Sequence, residues 1–209
     1  MQDKIVSLMA QTLPVLPVIQ VERAEDILPI GEALIEGGIH ALEITLRTPA
    51  GLAAIELARR SLPEAIVCAG TVTTTEQMHA AIDKGAEFIV TPGITEKLLT
   101  EAVRKEIALI PGVASPSELM VAREFGLSFF KLFPASIVGG LGMLKAMAGP
   151  FPDLRFCPTG GLNAGNFMEY LSLDNVFCIG GSWMVVSEDG KFDASASTEA
   201  AREIAQALA

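Results

Sequence analysis

Side chains that commonly bind metals are scarce in this sequence. Its 209 residues include two histidines, His40 and His79, and neither has a cysteine or carboxylate at ligand spacing. The three cysteines, Cys68, Cys157 and Cys178, lie in apolar runs and form no CxxC motif. We therefore expect no transition-metal site, and we expect buried, reduced thiols in place of disulfides.

Long apolar runs and an excess of positive charge are also missing. Hydrophobic residues make up 50% of the chain, yet no run approaches the roughly 18 residues of a membrane span. The formal net charge is −10 and the acidic residues are spread along the chain, which disfavours binding to nucleic acid or to an anionic membrane. The first residues lack the pattern of a signal peptide, so we expect a cytoplasmic protein.

Apolar, β-branched runs alternate regularly with amphipathic stretches. The runs predict strands at residues 15–21, 41–45, 65–71, 88–93, 108–114, 129–135, 155–161 and 176–182. The alternation predicts a single α/β domain over residues 1–209, a (β/α)8 TIM barrel with an extra N-terminal helix. An open doubly wound sheet is the alternative. That fold would need a glycine-rich loop after the first strand, where residues 22–25 read Glu-Arg-Ala-Glu.

Local signals mark the helix ends. Helical stretches are predicted at 24–36, 50–60, 76–84 and 96–105, among others. Residues 73–76 and 115–118 match the capping box, in which a hydroxyl and a glutamate satisfy free N–H groups at a helix start. The glycine pair 37–38, Gly85 and Gly126 are predicted to end helices, because glycine accepts the left-handed conformation found there.

The segment 128–136 is predicted to be a buried strand with a lysine at its centre. Because side chains alternate along a strand, Lys131 shares one face with Phe129 and Phe133. An ammonium among apolar groups is costly, so burial favours the neutral amine, which attacks ketones. Lys131 is therefore a candidate for imine formation. The alternative is an edge-strand lysine whose charged end reaches water.

The second predicted strand contains a carboxylate. Alternation places Glu43 inward with Ala41 and Thr45, and Arg47 follows at the strand end. A carboxylate inside a strand core is costly unless it is paired or protonated. We interpret Glu43 as a general acid and base that shares the barrel interior with Lys131. A structural ion pair with Arg47 or Lys131 is the alternative.

Other polar residues and glycines follow the ends of several predicted strands, which in a barrel meet at one mouth. They are Thr71, Thr159, Gly160, Gly161, Gly180, Gly181 and Ser182. Paired glycines let a backbone approach an anion, and the loops after strands seven and eight are the recurrent phosphate site of this fold. The sequence therefore predicts a phosphorylated 2-keto acid as the substrate of a class I (Schiff-base) aldolase.

The chain also resembles a known family, the 2-keto-3-deoxy-6-phosphogluconate (KDPG) and 4-hydroxy-2-oxoglutarate (KHG) aldolases. The resemblance covers nearly the whole sequence and rests on residues 42–48, 69–71, 88–93, 111–113, 129–135, 158–161 and 180–183. Two positions depart from the family pattern, Thr73 in place of an aliphatic residue and Thr91 where serine is commoner. Neither departure affects a residue to which a role is assigned.

The resemblance implies a role for each site residue. Lys131 would form the imine and Glu43 would be the acid and base, while Arg47 and Thr71 would hold the pyruvyl carboxylate. Thr159 would contact substrate hydroxyls or carboxylate, and Pro92 and Phe133 would form an apolar wall. The phosphate would bind to Gly160, Gly161, Gly180, Gly181 and Ser182.

The resemblance further implies a cytoplasmic homotrimer that requires no metal or other cofactor. The expected reaction is cleavage of KDPG to pyruvate and glyceraldehyde 3-phosphate, as in the Entner-Doudoroff pathway, with KHG as a second substrate cleaved to pyruvate and glyoxylate. Two alternatives stay open. One is a preference for the galactonate epimer, and the other is a non-catalytic barrel that binds phosphorylated metabolites.

Overall fold

The computed structural model describes residues 2–209, which form an α/β fold around a curled parallel sheet. The strands of this sheet are β1 (Val15–Ile19), β2 (Ala41–Thr45), β3 (Ile66–Gly70), β4 (Ile89–Val90), β5 (Leu109–Ile110), β6 (Gly112–Val113), β7 (Phe129–Leu132), β8 (Arg155–Pro158) and β9 (Ile179–Gly181). The helices are α1 (Asp3–Met9), α2 (Ile27–Glu36), α3 (Gly51–Ser61), α4 (Thr75–Asp83), α5 (Glu96–Arg104), α6 (Pro116–Glu124), α7 (Gly140–Ala148), α8 (Phe167–Leu171) and α9 (Ala194–Ala207). A short antiparallel hairpin, β10 (Ser187–Glu188) and β11 (Lys191–Phe192), precedes α9.

The order of the strands follows the order of the chain. One part of the sheet runs β5-β4-β3-β2-β1-β9 and the other runs β6-β7-β8. Only Pro111 separates β5 from β6, because proline has no N–H to continue the ladder. Isolated parallel bridges pair Phe156 with Val176 and Thr159 with Gly180, and they connect the β8 segment with the β9 segment.

The predicted strands occur at the expected places, but most are shorter than predicted at their carboxyl ends. The predicted strand 88–93 is reduced to Ile89–Val90, the strand 129–135 ends at Leu132, and the strand 108–114 is divided at Pro111. At these points the chain leaves the ladder and becomes loop. Several of the predicted site residues therefore lie on loops, just after the strands that position them.

The predicted helix signals are largely confirmed, with one correction. Ser115 caps α6 as expected, and its hydroxyl oxygen accepts a hydrogen bond from the backbone N–H of Glu118. The prediction for α4 was displaced by one residue, because Thr74 and not Thr73 is the N-cap and accepts from the N–H of Gln77. The predicted helix 24–36 begins as a 3-10 turn, Ala24–Asp26, before α2.

Alternation along the strands divides the buried side chains between two cores. Leu42, Ile44, Phe130 and Leu132 pack in the core between the sheet and the helices, as predicted. A second core, on the concave side of the sheet, contains Ala41, Leu16, Phe88 and all three cysteines, together with Ile5 and Met9 of α1. Helix α1 therefore covers this concave core at the amino ends of the strands.

Gln2 fixes the start of α1 to the amino ends of two strands. Its side-chain amide donates hydrogen bonds to the carbonyl oxygens of Leu109 and Phe129, at 2.9 Å each. Its carbonyl oxygen accepts from the N–H groups of Ser128 (2.7 Å) and Phe129 (3.1 Å). One buried side chain thus bridges β5 and β7. Within residues 2–209, no helix is both long enough and apolar enough to cross a bilayer.

Candidate active site

Strands β2 and β7 bring Glu43 and Lys131 together in the interior of the sheet. The Lys131 Nζ atom lies 3.1 Å from Glu43 Oε1, and the two side chains are 4% and 1% exposed. Glu43 Oε2 is also buried, and it has no hydrogen-bond partner among the described residues. The pair is therefore shielded from solvent and one carboxylate oxygen is free to accept a proton.

The surroundings of Lys131 hold its side chain in place. The Phe133 ring centroid lies 5.3 Å from Nζ, close enough for a cation–π contact. The backbone N–H of Lys131 donates to the Pro111 carbonyl, and the residue pairs with Gly112 on one side and Cys157 on the other. The alternative of an edge-strand lysine whose charged end reaches water does not hold, because β7 has a neighbour on each side and the Lys131 side chain is buried.

Thr91 stabilises the break beside Lys131. Its hydroxyl donates to the Gly93 carbonyl at 2.7 Å and accepts from the Gly112 N–H at 3.3 Å. Thr91 is buried, so this hydroxyl replaces ladder hydrogen bonds where Pro111 interrupts the sheet. A Cβ at Gly112 would overlap the Pro92 backbone, so Pro92 packs directly against the segment that pairs with Lys131.

Arg47 and Thr71 are neighbours at the carboxyl ends of β2 and β3. Arg47 is exposed, and its Nε donates to Thr71 Oγ1 at 3.2 Å. Thr71 has a left-handed backbone with φ 58°, which is uncommon for threonine and concentrates at functional sites. A guanidinium and a hydroxyl are hydrogen-bond donors that suit a carboxylate ligand.

The loop after β8 supplies a second group of binding residues. Thr159 is buried, and Gly160 and Gly161 follow it with φ 99° and 83°. A side chain at either glycine would be strained, so this turn depends on glycine. A cleft of about 450 Å³ opens here, and it is lined by Val18, Gln20, Arg47, Phe133, Thr159, Gly160, Gly161, Leu162, Gly181, Ser182, Val185 and Ser187.

Gly180 and Pro92 lie outside the lining of this cleft. Gly180 is buried within β9, where an added Cβ would overlap Thr159 Oγ1 and lie 3.0 Å from its Cγ2. Gly180 therefore makes room for Thr159, whereas the neighbouring Gly181 and Ser182 reach the cleft. Pro92 is half-buried beside Gly112, near the lysine strand.

The three cysteines lie close to the central pair but are not exposed. Cys68 pairs in register with Glu43, and Cys157 pairs with Lys131. Burial raises the pKa of the Cys68 and Cys178 thiols well above the ordinary value, so both stay protonated. All three thiols are free, as the sequence predicted. Within residues 2–209, no cluster of three or more His, Cys, Asp or Glu side chains is arranged to hold a metal ion.

Some residues of the site could not be predicted from the sequence. The cleft is completed by Gln20 at the end of β1 and by Val185 and Ser187, which begin the β10–β11 hairpin. The Asp189-Gly190 turn is a recognisable hairpin signal, and both residues have positive φ (49° and 73°). Which face of this hairpin borders the cleft depends on the tertiary structure.

The geometry of the site indicates a class of enzyme. A buried amine beside a buried carboxylate, with an anion-binding rim at the carboxyl ends of parallel strands, is typical of an imine-forming carbon–carbon lyase. The family model described as KDPG and KHG aldolase matches residues 6–197. The chain belongs to this aldolase family, and the predicted resemblance is confirmed.

Individual relatives agree with the family model. The chain is 52% identical over 171 residues to 2-dehydro-3-deoxy-phosphogluconate aldolase of Pseudomonas aeruginosa, covering 82% of this chain and 78% of the relative. A structure of KDPG aldolase from Legionella pneumophila, with pyruvate captured as a covalent carbinolamine, is 48% identical with a TM-score of 0.87, covering 91% and 93% of the two chains. The Zymomonas mobilis enzyme with 3-phosphoglycerate is 43% identical with a TM-score of 0.92, covering 98% and 96%.

Proposed function

We propose that this protein cleaves KDPG to pyruvate and glyceraldehyde 3-phosphate through an imine on Lys131. The observation that carries the proposal is the buried Lys131–Glu43 pair, 3.1 Å apart, beside a cleft with an anion-binding rim. A protein that only binds a metabolite needs no buried amine. The covalent pyruvate adduct of the Legionella relative supports the same chemistry.

The reaction begins at Lys131. A proton passes from Nζ to Glu43, and the neutral amine attacks C2 of the keto acid. The former carbonyl oxygen leaves as water, which produces a cationic imine. This cation accepts the electron pair of the C3–C4 bond when that bond breaks, so an enamine forms in place of a free carbanion. The burial of the pair favours the step, since the positive imine replaces a positive ammonium beside the same carboxylate.

Glu43 then transfers protons in both halves of the cycle. It takes the C4 hydroxyl proton as the aldehyde departs, and it returns a proton to C3 of the enamine. Oε1 contacts the lysine and Oε2 has no hydrogen-bond partner in the described part of the chain, so the second oxygen is available to substrate or to a bridging water. Hydrolysis of the imine releases pyruvate and restores the amine.

Substrate binding is assigned to the rim. Arg47 and Thr71 hold the pyruvyl carboxylate, Thr159 contacts substrate hydroxyls, and Phe133 and Pro92 form the apolar wall around the imine. The phosphate binds to Gly160, Gly161, Gly180, Gly181 and Ser182. Left-handed glycines in the first loop and the exposed Ser182 hydroxyl support this assignment. Gly180 acts mainly by leaving space for Thr159.

The finer architecture and the assembly are also part of the proposal. The sheet is a closed (β/α)8 barrel, since β5 and β6 are pieces of one segment and bridges connect the segments of β8 and β9. The extra N-terminal helix α1 covers its amino end, and residues 1–209 form one domain. By family resemblance the protein is a cytoplasmic homotrimer, which light scattering of the purified protein would test.

The mechanism is tested by borohydride reduction with and without pyruvate, followed by intact mass measurement and peptide mapping. We expect a single reduced pyruvyl adduct on Lys131, its loss in Lys131→Ala, and its retention in the matched surface variant Lys84→Ala. A folded protein that forms no adduct would instead support the non-catalytic metabolite-binding barrel.

The substrate is tested by comparing turnover of KDPG, its galactonate epimer and KHG. We expect KDPG to give the highest kcat/KM and KHG to be cleaved more slowly, because it lacks the phosphate. A higher kcat/KM for the galactonate epimer would overturn the stereochemical assignment and leave the imine mechanism intact. Equal rates with KHG would remove the phosphate role from the glycine loops.

A further inference from the structure

Gly70, the last residue of β3, lies against the carboxylate of Glu43. A Cβ added at this position would overlap Glu43 Oε1 and would lie 2.6 Å from Cγ and 2.8 Å from Cδ. All three of the nearest atoms belong to Glu43. The space that an alanine side chain would fill is therefore already occupied by the carboxylate that contacts Lys131.

The backbone conformation does not explain this glycine. Gly70 does not have a positive φ, so an alanine could adopt its backbone conformation. Gly70 is also buried in a regular strand, where it pairs with Thr45 and where glycine weakens the strand by conformational entropy. The requirement for glycine at this position comes from the space that Glu43 needs.

Glu43 cannot easily avoid a larger neighbour. Its backbone is held on both sides, by Val18 of β1 and Cys68 of β3. Its carboxylate is 3.1 Å from Lys131 Nζ, within hydrogen-bond distance. Relief of the overlap would therefore move the side chain away from the lysine.

We propose that Gly70 is a positioning residue, whose missing side chain holds the Glu43 carboxylate in contact with Lys131. Its effect on turnover rests on the proposed function, in which Glu43 transfers protons. Gly70→Ala would displace the carboxylate by about 1 Å, and a misplacement of that size costs on the order of 100-fold in rate. Lys131 remains in place, since no atom of β7 is among the three nearest to the new Cβ.

The kinetic test compares Gly70→Ala with a matched control, Gly31→Ala. Gly31 is also buried, but an added Cβ there would overlap Leu62 Cδ1, a flexible side chain of the core between the sheet and the helices. We expect Gly70→Ala to lower kcat about 100-fold with KM changed by less than about threefold, while the borohydride adduct still forms on Lys131. Gly31→Ala should keep more than about half of the wild-type kcat, since no residue of the site is touched. Wild-type turnover in Gly70→Ala would overturn the proposal.

A rescue experiment separates the local clash from a general structural defect. Glu43→Ala removes Cγ, Cδ and both carboxylate oxygens, and with them the atoms that the new Cβ would overlap, so an alanine at position 70 then has room. The residual kcat of the Glu43→Ala chain is already low, and we expect Gly70→Ala to lower it further by less than about threefold, which is a large coupling between the two sites. If the two losses multiply, the rate defect does not pass through Glu43 and the proposal is wrong.

If Gly70→Ala folds too poorly for kinetic measurements, thermal unfolding tests the proposal instead. Glu43→Ala removes the clashing atoms, so Gly70→Ala should lower Tm in the wild-type chain and leave it nearly unchanged in the Glu43→Ala chain. Glu43→Ala by itself leaves Lys131 unpaired, so the reference is that single variant. The proposal is overturned if Gly70→Ala lowers the Tm of the Glu43→Ala chain as much as it lowers the Tm of the wild type. This effect on Tm does not depend on the reaction. It would still be observed if Lys131 formed no adduct and the proposed function were wrong.

Discussion

The buried Lys131–Glu43 pair should make the protein less stable when only one partner is removed. Lys131→Met keeps the length of the side chain but removes the only hydrogen-bond partner that the Glu43 carboxylate has within residues 2–209, because Oε2 already lacks one. Breaking a buried pair in this way typically costs about 3–5 kcal/mol. For a chain of this size, each kcal/mol shifts Tm by roughly 2–4 °C, so Tm should fall by roughly 6–20 °C.

Removal of both charges should reverse this loss. In Lys131→Met/Glu43→Met two apolar side chains of similar length replace the ion pair, and such replacements are often neutral or stabilising by about 1–4 kcal/mol. The double variant should therefore unfold near or above the wild-type Tm, with no cleavage activity. Such a result would show that the active site lowers the stability of the fold.

Urea unfolding and thermal scans on Lys131→Met, Glu43→Met and the double variant would measure these differences. The control is Lys84→Met, which removes a 2.9 Å ion pair to Glu56 whose side chains are 41% and 55% exposed. That pair should contribute less than about 1 kcal/mol. The reasoning is refuted if Lys131→Met costs no more than this surface control, or if the double variant is less stable than both single variants.

Three further predictions concern stability. Glu106 is exposed and has a left-handed backbone with φ 53°, which glycine accepts without strain. Glu106→Gly should therefore raise the free energy of unfolding by about 0.5–1 kcal/mol in urea titrations. No gain would show that the left-handed conformation is relieved in solution. Gln2→Ala should cost about 1–3 kcal/mol, because buried backbone groups lose partners, while KM stays unchanged; an altered KM would place Gln2 in the site. Burial raises the pKa of Cys68 and Cys178, so the folded protein keeps these thiols protonated, whereas the unfolded chain loses the protons above about pH 8.5. The free energy of unfolding should therefore fall as pH rises through that range. Iodoacetamide should label the thiols slowly until urea unfolds the protein, and rapid labelling would contradict their burial.

Residue patterns within single strands determined the central chemistry. Side chains alternate along a strand with a period of two, so the positions of Glu43 and Lys131 fixed the face that each would occupy. The alternation of strands and helices fixed a parallel sheet, and in such a sheet the carboxyl ends meet at one edge. The shared location of Glu43 and Lys131 inside the sheet, and the position of Arg47 and Thr71 at the same edge, could therefore be predicted without coordinates.

Contacts between segments that are distant in the chain required the tertiary structure. The Thr91 hydroxyl accepts a hydrogen bond from the Gly112 N–H because the sheet is interrupted at Pro111, and this contact has no signal in the sequence. Gln2 likewise carries no signal of its bridge between β5 and β7. The requirement for glycine at position 70 is likewise invisible in the sequence, because it depends on where a side chain from the neighbouring strand lies. Local periodicity specifies the direction of a side chain, but packing against other strands decides what fills the remaining space.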